Sequence, residues 1–165
     1  MPIRAAILTI SDAGSRGERA DTSGPAIREL IAGIGASVER YEIVPDERQE
    51  IAATLAAWCD EGGLDLLLTT GGTGLSARDV TPEATLDIAH RLVPGIAEAM
   101  RAEGMRQTPR AMLSRGVAVT RGGTLIVNLP GSEKAVRESL GAVLGVLPHA
   151  VELLAGVTEH PKPAH

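Results

Sequence analysis

The chain has 165 residues, 44% hydrophobic and 22% charged, with a formal charge of −5, the make-up of one ordinary globular domain. Trp58 and Tyr41 are its only aromatics, so it lacks the stacking platforms of a single-strand nucleic-acid binder, and its net acidity excludes a general nucleic-acid surface. Cys59 stands alone, which rules out an internal disulfide, and no apolar run approaches the ~20 residues of a membrane span. With no signal-peptide pattern at the N-terminus, these features point to a cytoplasmic protein.

Taken in order, Ile3 to Ile10 reads as a buried first strand. Ser11 to Gly24 is polar and glycine-containing, a loop, and Pro25 opens a helix carrying Ile27, Leu30, Ile31 and Ile34 at helical spacing. Val38 to Val44 is a second strand. Pro45-Asp46-Glu47-Arg48-Gln49 predicts a helix start, with Asp46 as N-cap and Gln49 as its capping-box partner; Ile51, Leu55 and Trp58 form the apolar face and Gly62-Gly63 ends it.

Leu64 to Thr70 is a continuously apolar strand, as at the centre of a parallel sheet. A glycine-rich loop follows, then a helix opened by Thr81-Pro82 and another over Gly95 to Gly104. Pro109 to Arg115 is short and turn-rich. Strands at 117–119 and 125–127 flank Gly122-Gly123, a hairpin signal. Asn128-Leu129-Pro130-Gly131-Ser132 leads into a last helix with a stripe of Val136, Leu140, Val143, Leu144 and Leu147, which Pro148 should bend or interrupt. The alternation predicts a three-layer αβα sandwich with a mainly parallel sheet and a short antiparallel hairpin. The domain is expected over 1–155, with 156–165 a flexible tail.

The loop Gly71-Gly72-Thr73-Gly74 carries the strongest chemical signal. Glycines let backbone N–H groups approach an anion, at the strand end where α/β sheets bind ligands. It is no P-loop, since no Lys follows Gly74. Gly72, Gly74 and Ala77 fit the dinucleotide pattern, but after the third strand rather than the first, and Pro82 prevents a helix from running straight out of the glycines. A plain glycine turn is the competing reading. Ser132 marks a second anion-binding helix start, against an ordinary strand-to-helix connection.

Asp12, Asp46 and Asp79 follow strands that would end at one sheet edge, where carboxylates can share Mg²⁺ with substrate phosphates. Taken singly, Asp12 reads better as an Asx-turn and Asp46 as a helix cap, so Asp79, within the glycine loop, is the best single candidate. The long loop with Ser15-Arg16-Gly17-Glu18-Arg19 and Asp21-Thr22-Ser23-Gly24 is either functional or merely solvated, and Ser114-Arg115 is either surface or site. His90, His149, His160 and His165 have no metal-ligand spacing. Arg78 offers fixed positive charge beside the glycines.

Together these motifs resemble those of the molybdopterin adenylyltransferases (MogA/MoaB-like). The resemblance rests on Thr70-Gly71-Gly72-Thr73-Gly74 with Arg78-Asp79-Val80-Thr81-Pro82-Glu83-Ala84. It extends to Ser11-Asp12, Asp21-Thr22-Ser23-Gly24, Val44-Pro45-Asp46-Glu47, Leu113-Ser114-Arg115 and Asn128-Leu129-Pro130-Gly131-Ser132, in family order over about residues 3–155. It implies molybdenum cofactor biosynthesis: Mg²⁺-dependent transfer of AMP from ATP to the phosphate of molybdopterin, releasing pyrophosphate. Asp46 and Asp79 are implied as catalytic and metal-holding. Ser11, Asp12, Gly71, Gly72, Thr73, Gly74, Ser114, Asn128, Pro130, Gly131 and Ser132 are implied as substrate-binding. A homotrimer (or hexamer) and a downstream molybdenum-insertion enzyme are the implied partners. A non-catalytic molybdopterin-binding scaffold is the alternative. One departure is Glu133 after Ser132, where relatives often carry Pro or a neutral residue.

Overall fold

A computed structural model describes residues 2–157. The elements run β1 (Ile3–Ile10), α1 (Asp12–Ser15), α2 (Ser23–Ala32), β2 (Ala36–Val44), α3 (Arg48–Asp60), β3 (Leu66–Thr70), α4 (Thr81–Ile88), β4 (Arg91–Leu92) and α5 (Pro94–Gln107). After a 3₁₀ turn (Pro109–Leu113) come β5 (Ala118–Arg121), β6 (Thr124–Leu129), α6 (Glu133–Val143) and α7 (Leu147–Leu154).

The six strands form one sheet in the order β2-β1-β3-β6-β5-β4. β2, β1, β3 and β6 are parallel, while β5 runs antiparallel to β6 and to β4. Side chains alternate across the sheet, as period-2 geometry requires. Ile3, Ala5, Ile7, Leu66, Leu68, Leu125 and Val127 face α2, α5, α6 and α7. Ala6, Leu8, Ile10, Leu67, Val119 and Ile126 face α3 and α4. The expected αβα sandwich and its hairpin are therefore present.

Local corrections have physical reasons. α2 begins at Ser23, not Pro25, because Asp21 Oδ1 accepts the N–H groups of Ser23 (3.1 Å) and Gly24 (3.0 Å) and starts the turn earlier. The segment 11–24 also holds the one-turn α1, capped by Ser11 Oγ accepting from Gly14 N–H at 2.9 Å. Asp46 is no helix cap. α3 starts at Arg48 after Glu47, with no side-chain cap, because Asp46 Oδ2 accepts the N–H of Asp12 instead (2.8 Å). β4, two exposed residues against β5, carries no alternating pattern and was not predicted. Pro148 acts as anticipated: a 3₁₀ turn at Leu144–Val146 breaks the stripe, and Pro148 sits in the first turn of α7. Of the expected tail from Gly156, residues 158–165 lie outside the described residues.

Candidate active site

Because β1, β2, β3 and β6 are parallel, their carboxyl ends deliver Ser11, Asp46, Gly71 and Pro130 to one edge. Two cavities open there, one on each side of the glycine loop. The first, about 380 Å³, is lined by Ser11, Asp46, Gly71, Gly72, Asp79, Gly131 and Ser132 and by the loop ahead of α2. The second, about 280 Å³ and largely apolar, is lined by Gly74, Ser114, Asn128 and Pro130 together with Ala97, Met100, Leu113 and Ala135. The predicted site residues thus divide between two chambers. Asp12 and Thr73 line neither.

Glycine is obligatory in the loop for defined reasons. Gly71 has φ +98° and Gly72 φ +68°. A Cβ on Gly71 would overlap the carbonyl oxygen of Ile10, and one on Gly72 would overlap Thr81 Oγ1. The turn is stitched by Thr81, whose hydroxyl donates to Gly71 O (2.9 Å) and whose N–H donates to Gly72 O (3.1 Å). Gly71 N–H is engaged by Leu129 O at 3.2 Å, so it cannot serve an anion. The N–H groups of Gly72, Thr73 and Gly74 have no acceptor among the described residues.

Arg115 is the loop's main clamp, and sequence reasoning left it undecided between surface and site. Its N–H donates to Thr73 O (2.8 Å), Nε to Gly74 O (2.8 Å) and Nη2 to Asp79 O (2.8 Å). Its Nη1 meets both carboxylate oxygens of Glu83 at 2.8 and 2.7 Å. Only a planar guanidinium spans such a set. Neither local motif carries a signal for this clamp, because Glu83 and Arg115 are 32 residues apart.

The carboxylates separate by what already occupies them. Asp12 and Asp46 exchange bonds: Asp12 N–H donates to Asp46 Oδ2 (2.8 Å) and Asp46 N–H to Asp12 Oδ1 (3.0 Å). Arg78 forks onto both oxygens of Asp12 (3.0 and 2.9 Å) and reaches Glu47 (2.9 Å). Arg78 is therefore not a free cation for phosphate. The Arg78 guanidinium, then the Asp46 N–H, hold Asp12 below the ordinary carboxylate range. Asp46 moves the other way. Burial lifts its carboxyl; the Asp12 N–H opposes, and the negative charges of Asp12 and Asp79 add to the rise.

Asp21 also lines the polar cavity. Burial would raise its carboxyl, but Tyr41 OH, Gly24 N–H, Thr9 Oγ1 and Ser23 N–H outweigh that and keep it low. The same contacts explain Gly24: a Cβ there would sit 2.7 Å from Tyr41 Cε2. Among the described residues, Asp46 Oδ1 and Asp79 Oδ1 are the only carboxylate oxygens of Asp12, Asp21, Asp46 and Asp79 without a protein donor. Asp79 uses Oδ2 to accept Ser76 N–H at 3.0 Å.

The remaining predicted residues are largely architectural at their side chains. Asn128, 1% exposed, donates to Thr69 Oγ1 and Thr85 Oγ1 (3.0 Å each) and accepts Val117 N–H (3.2 Å), tying α4 to the sheet. Ser132 caps α6 by accepting Ala135 N–H (3.2 Å). Pro130 O and Gly131 O accept from Thr70 Oγ1 (2.6 Å) and Ser23 Oγ (2.7 Å), closing the β6–α6 turn on the cavity. Glu133 is paired with Arg137 at 3.1 Å, which tempers the repulsion an extra carboxylate would exert on an anion there.

Among the described residues, no three His, Cys, Asp or Glu side chains stand close enough to cage a metal. Two carboxylates, each with an unengaged oxygen, suit Mg²⁺, which usually keeps several waters and completes its shell with substrate phosphates. A loop with three unengaged N–H groups, a carboxylate pair with unengaged oxygens and an adjoining apolar chamber have the chemistry that a phosphorylated ring compound beside a nucleotide would require.

Comparison with known proteins points the same way. Residues 6–149 match the family described as "Probable molybdopterin binding domain". The chain is 43% identical over 156 residues to the molybdopterin adenylyltransferase of Helicobacter pylori strain J99, spanning 93% of this chain and 89% of that protein. It is 38% identical over 168 residues to that of Escherichia coli K12, spanning 93% and 86%. The crystal structure of the molybdopterin biosynthesis enzyme MoaB from Thermus thermophilus superposes with a TM-score of 0.89 at 60% identity, covering 93% of this chain and 97% of that one.

Proposed function

This chain belongs to the molybdopterin-binding domain family, and we propose that it is the adenylyltransferase of molybdenum cofactor biosynthesis that moves AMP from ATP onto the terminal phosphate of molybdopterin. The observation that carries this reading is the selective freedom of two carboxylate oxygens, on Asp46 and Asp79, in a polar cavity walled by the glycine loop.

Asp46 and Asp79 would hold Mg²⁺; when bound, the ion supplies neutralising charge to the triphosphate and to the departing pyrophosphate. The nucleophile is an already ionised phosphate oxygen, so no strong base is required of the chain. Its task is to bring two anions together. The N–H groups of Gly72, Thr73 and Gly74 are fixed dipoles aimed at phosphate, held in advance by Thr81 and Arg115. The apolar cavity beside Gly74 takes the pterin ring, with the hydroxyls of Ser114 and Ser139 on its wall. Ser11, Gly131 and Ser132 line the phosphate side, with Asp12 positioning Asp46 by their paired backbone bonds.

We place residues 1–155 as one functional unit in the cytoplasm, assembled as a homotrimer. Exposed apolar side chains such as Met105 and Met112 support an assembly surface. A molybdenum-insertion enzyme would consume the product.

The test is pyrophosphate release from ATP by the purified protein with molybdopterin, with and without a chelator. Wild type turns over, chelation stops it and added Mg²⁺ restores it, while Asp79→Ala abolishes transfer and keeps its circular dichroism and unfolding midpoint. Molybdopterin binding without pyrophosphate release would instead mark a scaffold. Normal turnover by Asp79→Ala would remove that residue from the site.

A further inference from the structure

We infer that Arg19 receives the pyrophosphate portion of ATP and guides its release; the inference rests on the adenylyl-transfer reading above. The polar cavity is lined by three carboxylates, Asp21, Asp46 and Asp79, and Arg19 is its single basic lining residue. Three arginines around the glycine loop and the segment ahead of α2 are already committed. Arg16 pairs with Glu18 (3.0 Å), Arg78 with Asp12 and Glu47, and Arg115 with Glu83. Arg19 makes no hydrogen bond or ion pair among the described residues. A free guanidinium in an otherwise acidic chamber is positioned for an incoming polyanion rather than for the fold.

The layout also selects which phosphates it meets. An in-line displacement places nucleophile and leaving group on opposite sides of the phosphorus. Molybdopterin approaches from the apolar cavity at Gly74, so the leaving group points across the loop, away from that cavity. The cavity floor there is made of buried Thr9, Ser23 and Thr70, while Arg19, Ala20 and Thr22 form an exposed rim. In the step itself, a molybdopterin phosphate oxygen forms a bond to the α-phosphorus. The bond from that phosphorus to the oxygen bridging to the β-phosphorus breaks, and its electron pair leaves with pyrophosphate. That product is discharged at the rim, beside Arg19. An exposed Arg suits this, because it binds the leaving group without burying it.

The experiment compares wild type, Arg19→Ala and Arg19→Lys. Calorimetry measures binding of inorganic pyrophosphate and of AMP, each with Mg²⁺, and turnover gives KM for ATP and kcat. Loss of a charge-assisted contact at a solvated site should weaken pyrophosphate binding and raise KM for ATP by roughly tenfold in Arg19→Ala. AMP binding should be unchanged, and Arg19→Lys should recover much of the loss. Since Arg19 has no partner among the described residues, the unfolding midpoint should not move. Unchanged pyrophosphate affinity in Arg19→Ala, or an equal loss for AMP, overturns the assignment. If wild type binds pyrophosphate through Arg19 yet releases none from ATP, the adenylyl-transfer reading fails while the anion site stands.

Discussion

Replacing single loop glycines by alanine should separate the loop's structural role from its catalytic one. At Gly71 the backbone sits at φ +98°, where an L-residue is disfavoured by about 1–2 kcal/mol. The added Cβ would fall well inside the roughly 3.3 Å at which carbon and oxygen normally meet, against the carbonyl of Ile10. Ile10 has little room to retreat, since it is paired with Val44 of β2 and the residue before it, Thr9, is paired on both sides, with Ile43 and Thr70. The loop must move instead, and it then loses the Gly71 N–H bond to Leu129 O and the Thr81 hydroxyl bond to Gly71 O, each worth about 1 kcal/mol. Gly71→Ala should therefore destabilise by about 3–4 kcal/mol and lower the urea midpoint by about 1 M or more. Gly74 has no positive φ, and its Cβ would meet only Asp79, with Oδ2 at 2.9 Å. Gly74→Ala should stay within about 1 kcal/mol of wild type yet push Asp79 aside, with transfer falling on the order of a hundredfold. Equilibrium urea unfolding and pyrophosphate release, measured on the same preparations, decide it. A Gly71→Ala protein as stable as wild type, or a Gly74→Ala protein with full activity, would refute the reasoning.

The Arg115 clamp and the Asp46 carboxylate give two more expectations. The Arg115 guanidinium holds Glu83 below its ordinary pKa, so the pair's stabilisation is complete above the unfolded value of 4.5 and is lost as pH falls through the folded one. Glu83→Gln should cost about 1 kcal/mol near neutrality, a value already reduced for partial exposure, and the difference from wild type should shrink steadily as pH falls below 4.5 through the depressed folded value; denaturant titrations at several pH values test this. Asp46→Asn should do the reverse. Burial raises that carboxyl in the folded state, so the ionised form opposes folding as pH rises, and the amide should melt higher than wild type at neutral pH but not at about pH 3. The same variant should lose adenylyl transfer, and a neutral-pH melting point below that of wild type would refute the argument.

What could be read from the chain follows the range of the forces involved. Strands β1, β3 and β6 announce themselves as apolar runs because they are buried on both faces, and the stripe of α6 survives in its spacing. The interruption at Pro148 is a local backbone effect and was legible for that reason. The start of α3 was not. Asp46 and Gln49 satisfy a capping pattern locally, but a residue 34 positions earlier, Asp12, supplies the N–H that takes the Asp46 carboxylate. Likewise Arg115 and Glu83 are 32 residues apart, and nothing in either local motif joins them. The edge location of Asp46, Asp79 and the glycines was legible because parallel strands fix it topologically. The division into a polar and an apolar chamber depends on how α5, α6 and the 3₁₀ turn pack, which is tertiary.

The opposed acidities of Asp12 and Asp46 come from one arrangement. Two carboxylates brought together by reciprocal backbone bonds repel each other, and the fold supplies one cation, Arg78, to the pair. That cation sits on Asp12 and leaves Asp46 half-buried, near Asp79, with one oxygen unengaged. Neutralising Asp46 internally would make a more stable protein. Leaving its charge only partly compensated keeps a place where, on the proposed function, a hard cation would bring both relief of repulsion and affinity for phosphate. The glycine loop fits the same logic: its dipoles are oriented by Thr81 and Arg115 before any anion arrives, so little reorganisation remains for the moment of transfer. On the proposed function, the excess negative charge left at Asp46 and Asp79 is what a cation arriving with the nucleotide would complete.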